Sequence, residues 1–473
     1  MTSTDRNRTA IFGGIDFKTV GLYAVLSVIG LVSIYSATSD GPVADFFSLS
    51  NLYMKQVMWV GIAWVAAFVL MLSDSRYFHM FAYHAYAVGI MLLVAVLLFG
   101  KEVNGAKSWF EFGSVRVQPV EFAKIAIALA VARMLSANTF SINALGSLMK
   151  LAALILFPLA IIVAQNDTGS GIVLGSFIFV LYREGLNKWL CIPVLFVALL
   201  IIVSFIVSPA VLTVLLLLVF TFSEMMMNRQ WRSRIIFLAS IFAGSILIYI
   251  IQRAAGMSLE YYHTLMIASA IGILVAVVYA YRVNARNIFV VAALYASTMI
   301  LLPGFNSVLK THQQNRILIY LGLIEDINDK GYNVHQSKIA IGSGGLFGKG
   351  YLNGTQIKGD FVPEKHTDFI FCTIGEELGF VGAMVVLTLL CMLILRLMKM
   401  GDRIEEPFGR VYCYCVAAIL LFHVLVNVGM TIGLMPVMGI PLPFISYGGS
   451  SFVAFTMLLF IAINLDASTR RSI

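Results

Sequence analysis

Asp368 stands where a charge is unusual, because Glu364-Lys365-His366-Thr367-Asp368 leads directly into an apolar segment at 369–395. Partial desolvation raises the proton affinity of a carboxylate, which suits a general base working near neutral pH. The same position suits a helix N-terminal acid favoured by the macrodipole, with Thr367 as a cap, so placement alone leaves a structural role open. Glu376 and Glu377 follow roughly 12 Å further along the segment, at 1.5 Å per residue. A charge at the bilayer centre costs about 2.5–3.5 kcal/mol, so these carboxylates need a basic partner, a proton or water. Structural pairing and a proton relay both fit. Lys124 lies roughly 7.5 Å inside its own segment, where it can snorkel outward, pair with Glu121 at i−3, or meet a diphosphate in the interior. Trp109 reads either as a membrane-belt aromatic or as a platform for a sugar. Arg133, deeper in the same segment as Lys124, reads as structural.

The elements that must position these residues are membrane helices. Of the 473 residues, 60% are hydrophobic and 12% charged, against about 25% charged in soluble domains, and mean hydropathy is +0.91. Apolar segments fall at about 17–37, 56–72, 83–99, 119–135, 148–164, 168–182, 189–207, 209–223, 235–251, 265–281, 288–302, 369–395, 411–434 and 450–465. Each is long enough, or nearly so, to cross a bilayer as a helix. The expectation is an all-α polytopic membrane protein, a single integral membrane domain over 1–473 with about 14 spans and both termini on one side. Arg6 and Arg8 before a first segment of full length read as an uncleaved anchor with a cytoplasmic N-terminus. The net charge of +8 is spread over short loops that orient helices, so nucleic acid is not the expected partner. The five cysteines lie in or beside apolar segments, which predicts neither a disulfide framework nor a zinc site.

Two outward stretches break the positive-inside pattern. Residues 101–124 carry Lys101, Lys107, Arg116 and Lys124, and 303–367 forms a large extracytoplasmic loop with seven basic residues. Long loops escape the rule, whereas the first stretch predicts an anionic partner, most simply a phosphate-bearing substrate. The run from Gly342 to Gly350 fails the phosphate-loop pattern, since Ser343 and Gly350 stand where glycine and Ser or Thr are needed. Gly439 to Gly449 holds two prolines and two further glycines, which excludes a continuous helix and predicts a re-entrant segment lining a polar cavity.

Taken together the motifs resemble the SEDS proteins (shape, elongation, division and sporulation), and the RodA type more than the FtsW type. The residues that carry the likeness are Asn104-Gly-Ala-Lys-Ser-Trp109, Gln118-Pro-Val-Glu-Phe-Ala-Lys124, Gly342 to Gly350, Gly354-Thr-Gln356, Asp360 to Asp368, Glu376-Glu-Leu-Gly379 and Ile440 to Gly449. The resemblance implies a SEDS-type helical bundle with a ten-helix core, leaving 186–285 as an apparent four-helix insertion. It implies a peptidoglycan glycosyltransferase that polymerises lipid II and releases polyprenyl diphosphate during cell elongation. Asp368 corresponds to the family's catalytic aspartate, Lys124 to its membrane lysine, Trp109 to its loop tryptophan and Arg316 to its loop arginine. Gln118, Glu121 and His366 lie inside the same motifs as substrate-binding candidates. Asp167 follows Asn166, where the family usually shows proline, and joins Glu376 and Glu377 as structural or relay carboxylates.

Under that likeness Asp368 deprotonates the acceptor sugar's 4-hydroxyl, while Lys124 and Arg316 face the leaving diphosphate. No resident metal or cofactor is expected, a divalent cation such as Mg2+ being the one helper this chemistry could use. A class B penicillin-binding protein and the elongation machinery are the expected partners, in the bacterial inner membrane, with both termini cytoplasmic and the site periplasmic. A lipid II flippase and a division-type, FtsW-like enzyme are the alternatives. Broken helices with buried carboxylates suit transport, whereas charges gathered at one interface suit an enzyme.

Overall fold

The computed structural model describes residues 14–39, 51–187 apart from 104, 114 and 143, the isolated positions 246, 249, 250 and 254, and 330–472. The chain divides into two compact units, 1–187 with 326–473, and 188–325. The first is described here. The spans expected between 189 and 302, the insertion at 186–285 and Arg316 fall outside the described residues apart from those isolated positions.

In chain order the elements are α1 (Phe17–Thr38), α2 (Leu52–Leu72), α3 (Ser75–Phe99), β1 (Lys101–Val103), β2 (Ala106–Phe112), β3 (Val115–Val117), α4 (Pro119–Leu135) and α5 (Leu145–Ala164). They continue with α6 (Thr168–Leu174), α7 (Phe177–Arg183), α8 (Lys330–Ser343), α9 (Thr355–Lys358), α10 (Ile370–Arg403), α11 (Pro407–Thr431) and α12 (Gly449–Ser472). Among the described residues seven helices are long and apolar enough to cross a membrane: α1, α2, α3, α5, α10, α11 and α12. The expected span at 168–182 is instead two short helices, α6 and α7. Helix α4 lies at the centre, buried along nearly its whole length and packed on α3, α5, α11 and α12. Its run of alanines lets these neighbours approach closely.

The all-α expectation needs one correction. Residues 101–117 form a three-stranded antiparallel sheet in the order β1-β2-β3. Val103 pairs with Ala106 and Phe112 with Val115, so each turn holds two residues, with Gly105 at φ 81° and Gly113 at φ 62°. The Asn104-Gly105 dipeptide is the sequence signal for such a hairpin. The expected loop at 303–367 is likewise helical over α8 and α9 in its described part.

Helix α10 breaks at Gly379 (φ 65°, ψ −165°), and the Gly-rich run fills the break. In an unbroken helix the amides of Phe380 and Val381 would bond to the carbonyls of Glu376 and Glu377. Here those amides donate to Gly345 O (2.9 Å) and Leu346 O (3.1 Å), while the carbonyls accept from Lys349 N and Gly350 N, both at 3.0 Å. The inserted segment thus satisfies the four backbone groups that the break would otherwise leave without partners. Glycine is needed for the approach, since a Cβ at Gly344 or Gly348 would lie 2.0 Å from the carbonyl oxygens of Gly375 and Glu377.

The opposite end of α10 is tied by charge. Arg396 donates to both oxygens of Asp16 at 2.6 Å, and Arg403 joins Asp16 (3.3 Å) to Asp466 of α12. Burial alone would raise the Asp16 carboxyl, but the two guanidiniums and the Thr19 amide hold it below the usual range.

Gly348 (φ +78°) is strained for any side chain and has no space for one, whereas nothing lies within 4 Å of a Cβ at Gly61 in α2. Gly348→Ala is therefore expected to lower stability by about 1–3 kcal/mol, and Gly61→Ala to leave it unchanged or slightly raised. Thermal unfolding of the purified protein in one detergent checks both.

Candidate active site

After α11 the chain runs without helix from Ile432 to Gly448, and Ile440, Leu442, Phe444, Ile445 and Ser446 of this stretch are buried. Backbone buried away from water needs partners from its surroundings. Tyr447 N donates to His366 O (2.9 Å), and Leu442 N donates to the Ser446 hydroxyl (2.8 Å). Two side chains of α11 supply further donors. The Asn427 amide donates to Ile440 O (2.7 Å) and also to the backbone carbonyl of Asp368 (2.8 Å). His423 Nδ1 lies 3.2 Å from Pro441 O, and a carbonyl only accepts, so Nδ1 carries the proton. The Nε2 lone pair then accepts from Lys124 Nζ at 2.9 Å. Phe444 holds φ 65°, a left-handed conformation rare for a bulky side chain, and its ring stands edge-on to Tyr23 at 5.3 Å.

Four successive residues of this stretch meet α6, the threshold of α10 and, twice, α11. Met438 O lies 2.2 Å from where a Cβ on Gly169 of α6 would stand, so only glycine admits the approach. Gly439 (φ +68°) sits beside the carboxylate, with Asp368 Oδ2 3.5 Å from its Cβ position. Ile440 and Pro441 take the bonds from Asn427 and His423. Asp368 itself is half-buried, just ahead of α10. Thr367 is not its helix cap, because the Thr367 hydroxyl donates to Glu364 Oε2 (2.8 Å) instead.

Lys124 departs from the diphosphate-facing expectation. It is fully buried, with its ammonium 2.8–2.9 Å from both oxygens of Glu121, 2.9 Å from His423 and over the Phe455 ring at 5.3 Å. Burial of an ammonium requires such saturation, which leaves no free donor for a ligand in this conformation. The cations of 101–124 that were expected to face outward also find partners within the chain. Glu111 pairs with Lys101 (2.5 Å) and Arg116 (2.8 Å), and the Lys101 bond chiefly holds its carboxyl below the usual value. Lys107 donates to Leu98 O at 3.0 Å. Glu121 was an expected partner of Lys124, whereas the expectation of an anionic substrate left Glu111 out of the charge count.

The remaining candidates are placed as follows. Gln118 Nε2 donates to Asp167 Oδ2 (2.9 Å), and Asp167 caps α6 through Ser170 N (3.1 Å). Asn166 holds φ 61°, which proline cannot adopt, so its departure from the family pattern has a structural cause. His366 stands edge-on to Tyr447 at 5.7 Å, and burial holds its imidazole below the usual 6.5, so it is neutral near pH 7. Trp109 is half-buried in β2, opposite Lys101.

Glu376 is buried, with Oε1 accepting from Lys349 Nζ (2.7 Å) and Gln356 N (2.9 Å) and Oε2 from Ile357 N (3.0 Å). Glu377 accepts from the Ser36 hydroxyl of α1 at 2.5 Å. Glu376 therefore fastens Lys349 and α9 to α10, and Glu377 ties α10 to α1. Sequence reasoning missed His423 and Asn427. Two polar residues one turn apart in an otherwise apolar helix were the available signal.

A family described as "Cell cycle protein", covering FtsW, RodA and SpoVE, matches residues 18–215 and 207–471. The chain belongs to this family. It is 34% identical over 455 residues to the peptidoglycan glycosyltransferase RodA of Treponema pallidum, spanning 93% of this chain and 95% of the relative. It is 30% identical over 400 residues to the peptidoglycan glycosyltransferase MrdB of Escherichia coli K12, spanning 84% and 81%. Its fold matches a chain of a solved peptidoglycan synthase complex with a TM-score of 0.60 at 24% identity, over 96% of this chain and 98% of that one. It also matches RodA of Thermus thermophilus with a TM-score of 0.55 at 23% identity, over 96% and 97%. With the apolar helices, this membership makes the chain a multi-pass membrane protein.

In this member of the family, Glu121→Gln or Lys124→Met alone should each cost about 3–5 kcal/mol by stranding a buried charge. The double variant should recover part of that loss. Thermal unfolding of the three variants checks it, and strictly additive losses would show that the pair is not coupled.

Proposed function

We infer that the protein is a peptidoglycan glycosyltransferase of the RodA type, polymerising lipid II in cell elongation. The observation that carries the reading is the half-buried Asp368 carboxylate beside Gly439, with its backbone tied to α11. Asp368 takes the proton from the 4-hydroxyl of the acceptor sugar. The oxygen attacks the anomeric carbon of the lipid-linked donor, the bond from that carbon to the diphosphate breaks, and polyprenyl diphosphate leaves with the electron pair. Holding both lipid tails among apolar helices brings the reacting groups to one depth.

Arg316 is the proposed cation for the leaving group. Lys124 would join it by exchanging one of its present contacts for a diphosphate oxygen. Trp109 serves as a platform at the sugar, with Gln118 and His366 lining the approach. Among the described residues no three His, Cys, Asp or Glu side chains converge on a site for a divalent cation. No step is routed through one.

The same reading places the chain in the bacterial inner membrane with cytoplasmic termini and Asp368 on the periplasmic side. It gives about 14 spans in all, with α6 and α7 together standing for the one at 168–182, and makes the segment at 439–449 re-entrant. A class B penicillin-binding protein is the proposed partner, supplying crosslinking beside polymerisation. The flippase reading is less favoured, because Glu376 and Glu377 have partners within the chain and offer no open path of charges.

Asp368→Ala should abolish glycan synthesis by the purified, folded protein supplied with lipid II, with or without its transpeptidase. Polymer formed at the wild-type rate would remove Asp368 from the mechanism.

A further inference from the structure

Helix α11 carries two polar side chains that its apolar setting does not require. His423 is 1% exposed and Asn427 0%. They stand four residues apart, hence on one face of the helix, and both reach the non-helical stretch after α11 rather than their own helix. Asn427 is badly placed for stability alone. Its amide nitrogen is fully used by two carbonyls, while its Oδ1 is buried with no hydrogen-bond partner. A leucine of similar size would remove that orphan but would leave the Ile440 and Asp368 carbonyls without this donor. Its task is therefore read from those two acceptors.

The two carbonyls that Asn427 holds define the task. One belongs to Ile440, beside the Gly439 that faces the Asp368 carboxylate, and the other to Asp368 itself. Asp368 precedes the first helical turn of α10, and its peptide plane is held at two points instead, by Phe369 N donating to Glu364 O (3.2 Å) and by Asn427 donating to the Asp368 carbonyl. Rotation of that plane would swing the carboxylate with it. His423 fixes the next carbonyl, Pro441 O, and is itself held from behind by the Lys124–Glu121 pair. The chain Glu121–Lys124–His423–Pro441 and the bridge through Asn427 therefore converge on the backbone around the carboxylate.

We propose that His423 and Asn427 are positioning residues for the transferase reaction, holding Asp368 and the facing 439–441 backbone in reactive register. This rests on Asp368 being the base. Neither residue touches substrate in this role. Misplacing a reacting group by about 1 Å costs on the order of a hundredfold in rate. Loss of either side chain should therefore lower turnover and leave lipid II affinity nearly unchanged.

The test uses the purified full-length protein in lipid nanodiscs with lipid II, measuring kcat, KM and the thermal unfolding midpoint. Asn427→Ala should lower kcat at least tenfold with KM within about twofold. His423→Leu should do likewise. His423→Gln, which keeps a donor and an acceptor in reach of Pro441 O and Lys124 Nζ, should return kcat to within about threefold of wild type. A purely packing role predicts the opposite order, with the apolar leucine better tolerated than glutamine and any rate loss following the folded fraction.

Wild-type kcat in Asn427→Ala, or His423→Leu as active as His423→Gln, overturns the proposal. Should Asn427→Ala not fold, the His423 pair decides alone. Asp368→Ala is run in parallel. If it is inactive while the α11 variants match wild type, only the positioning role fails. If it polymerises normally, the base assignment has failed and the positioning role with it.

Discussion

A stretch of non-helical backbone buried among apolar helices must have its polar groups satisfied by something other than water. The rest of this site follows from how residues 438–441 meet that demand. Pro441 brings no amide of its own, so the carbonyls of Ile440 and Pro441 are met by side chains from α11. Those side chains are buried and polar and need partners in turn. His423 finds Lys124, Lys124 finds Glu121, and the spare donor of Asn427 finds the Asp368 carbonyl. One local backbone problem thereby gathers residues from α4, α11 and the threshold of α10 into a single connected network.

A second irregularity lies below the first. The gap in α10 at Gly379 is filled by the Gly-rich run, with Glu376 and Glu377 fastening the flanking chain. Asp368 therefore sits between two places where helix is interrupted and repaired by another segment. Such repair costs specific residues: glycines at 344 and 348 for approach, and carboxylates at 376 and 377 as acceptors. It allows a short rigid stretch, 368–377, to be held from both ends.

Much of this was legible beforehand. Asp368 stands out because an acid at the edge of an apolar run is costly and because its motif is ordered. The broken character of 439–449 follows from its prolines and glycines. The hairpin at 101–117 is signalled by Asn104-Gly105, and the same stretch carries Glu111, which pairs with two of the cations expected to meet a phosphate. The Lys124–Glu121 pair is one of the options that their i, i+3 spacing offers, yet the lysine's further partner His423 lies 299 residues away on α11 and no local pattern indicates it. The same limit explains Glu376, whose ligands include backbone amides of Gln356 and Ile357. Backbone donors leave no trace in side-chain identity.

The central claim is geometric: the Asp368 carboxylate, set by backbone contacts at 438–441, is the group that meets the acceptor hydroxyl. The most direct measurement is an experimental structure of the protein with a non-reactive lipid-linked donor and an acceptor sugar bound. The account predicts an Asp368 oxygen about 2.6–3.2 Å from the acceptor 4-hydroxyl, with the Asn427 bridge to the Asp368 carbonyl intact. An acceptor seated against a different carboxylate, with Asp368 turned away from it, would contradict the account.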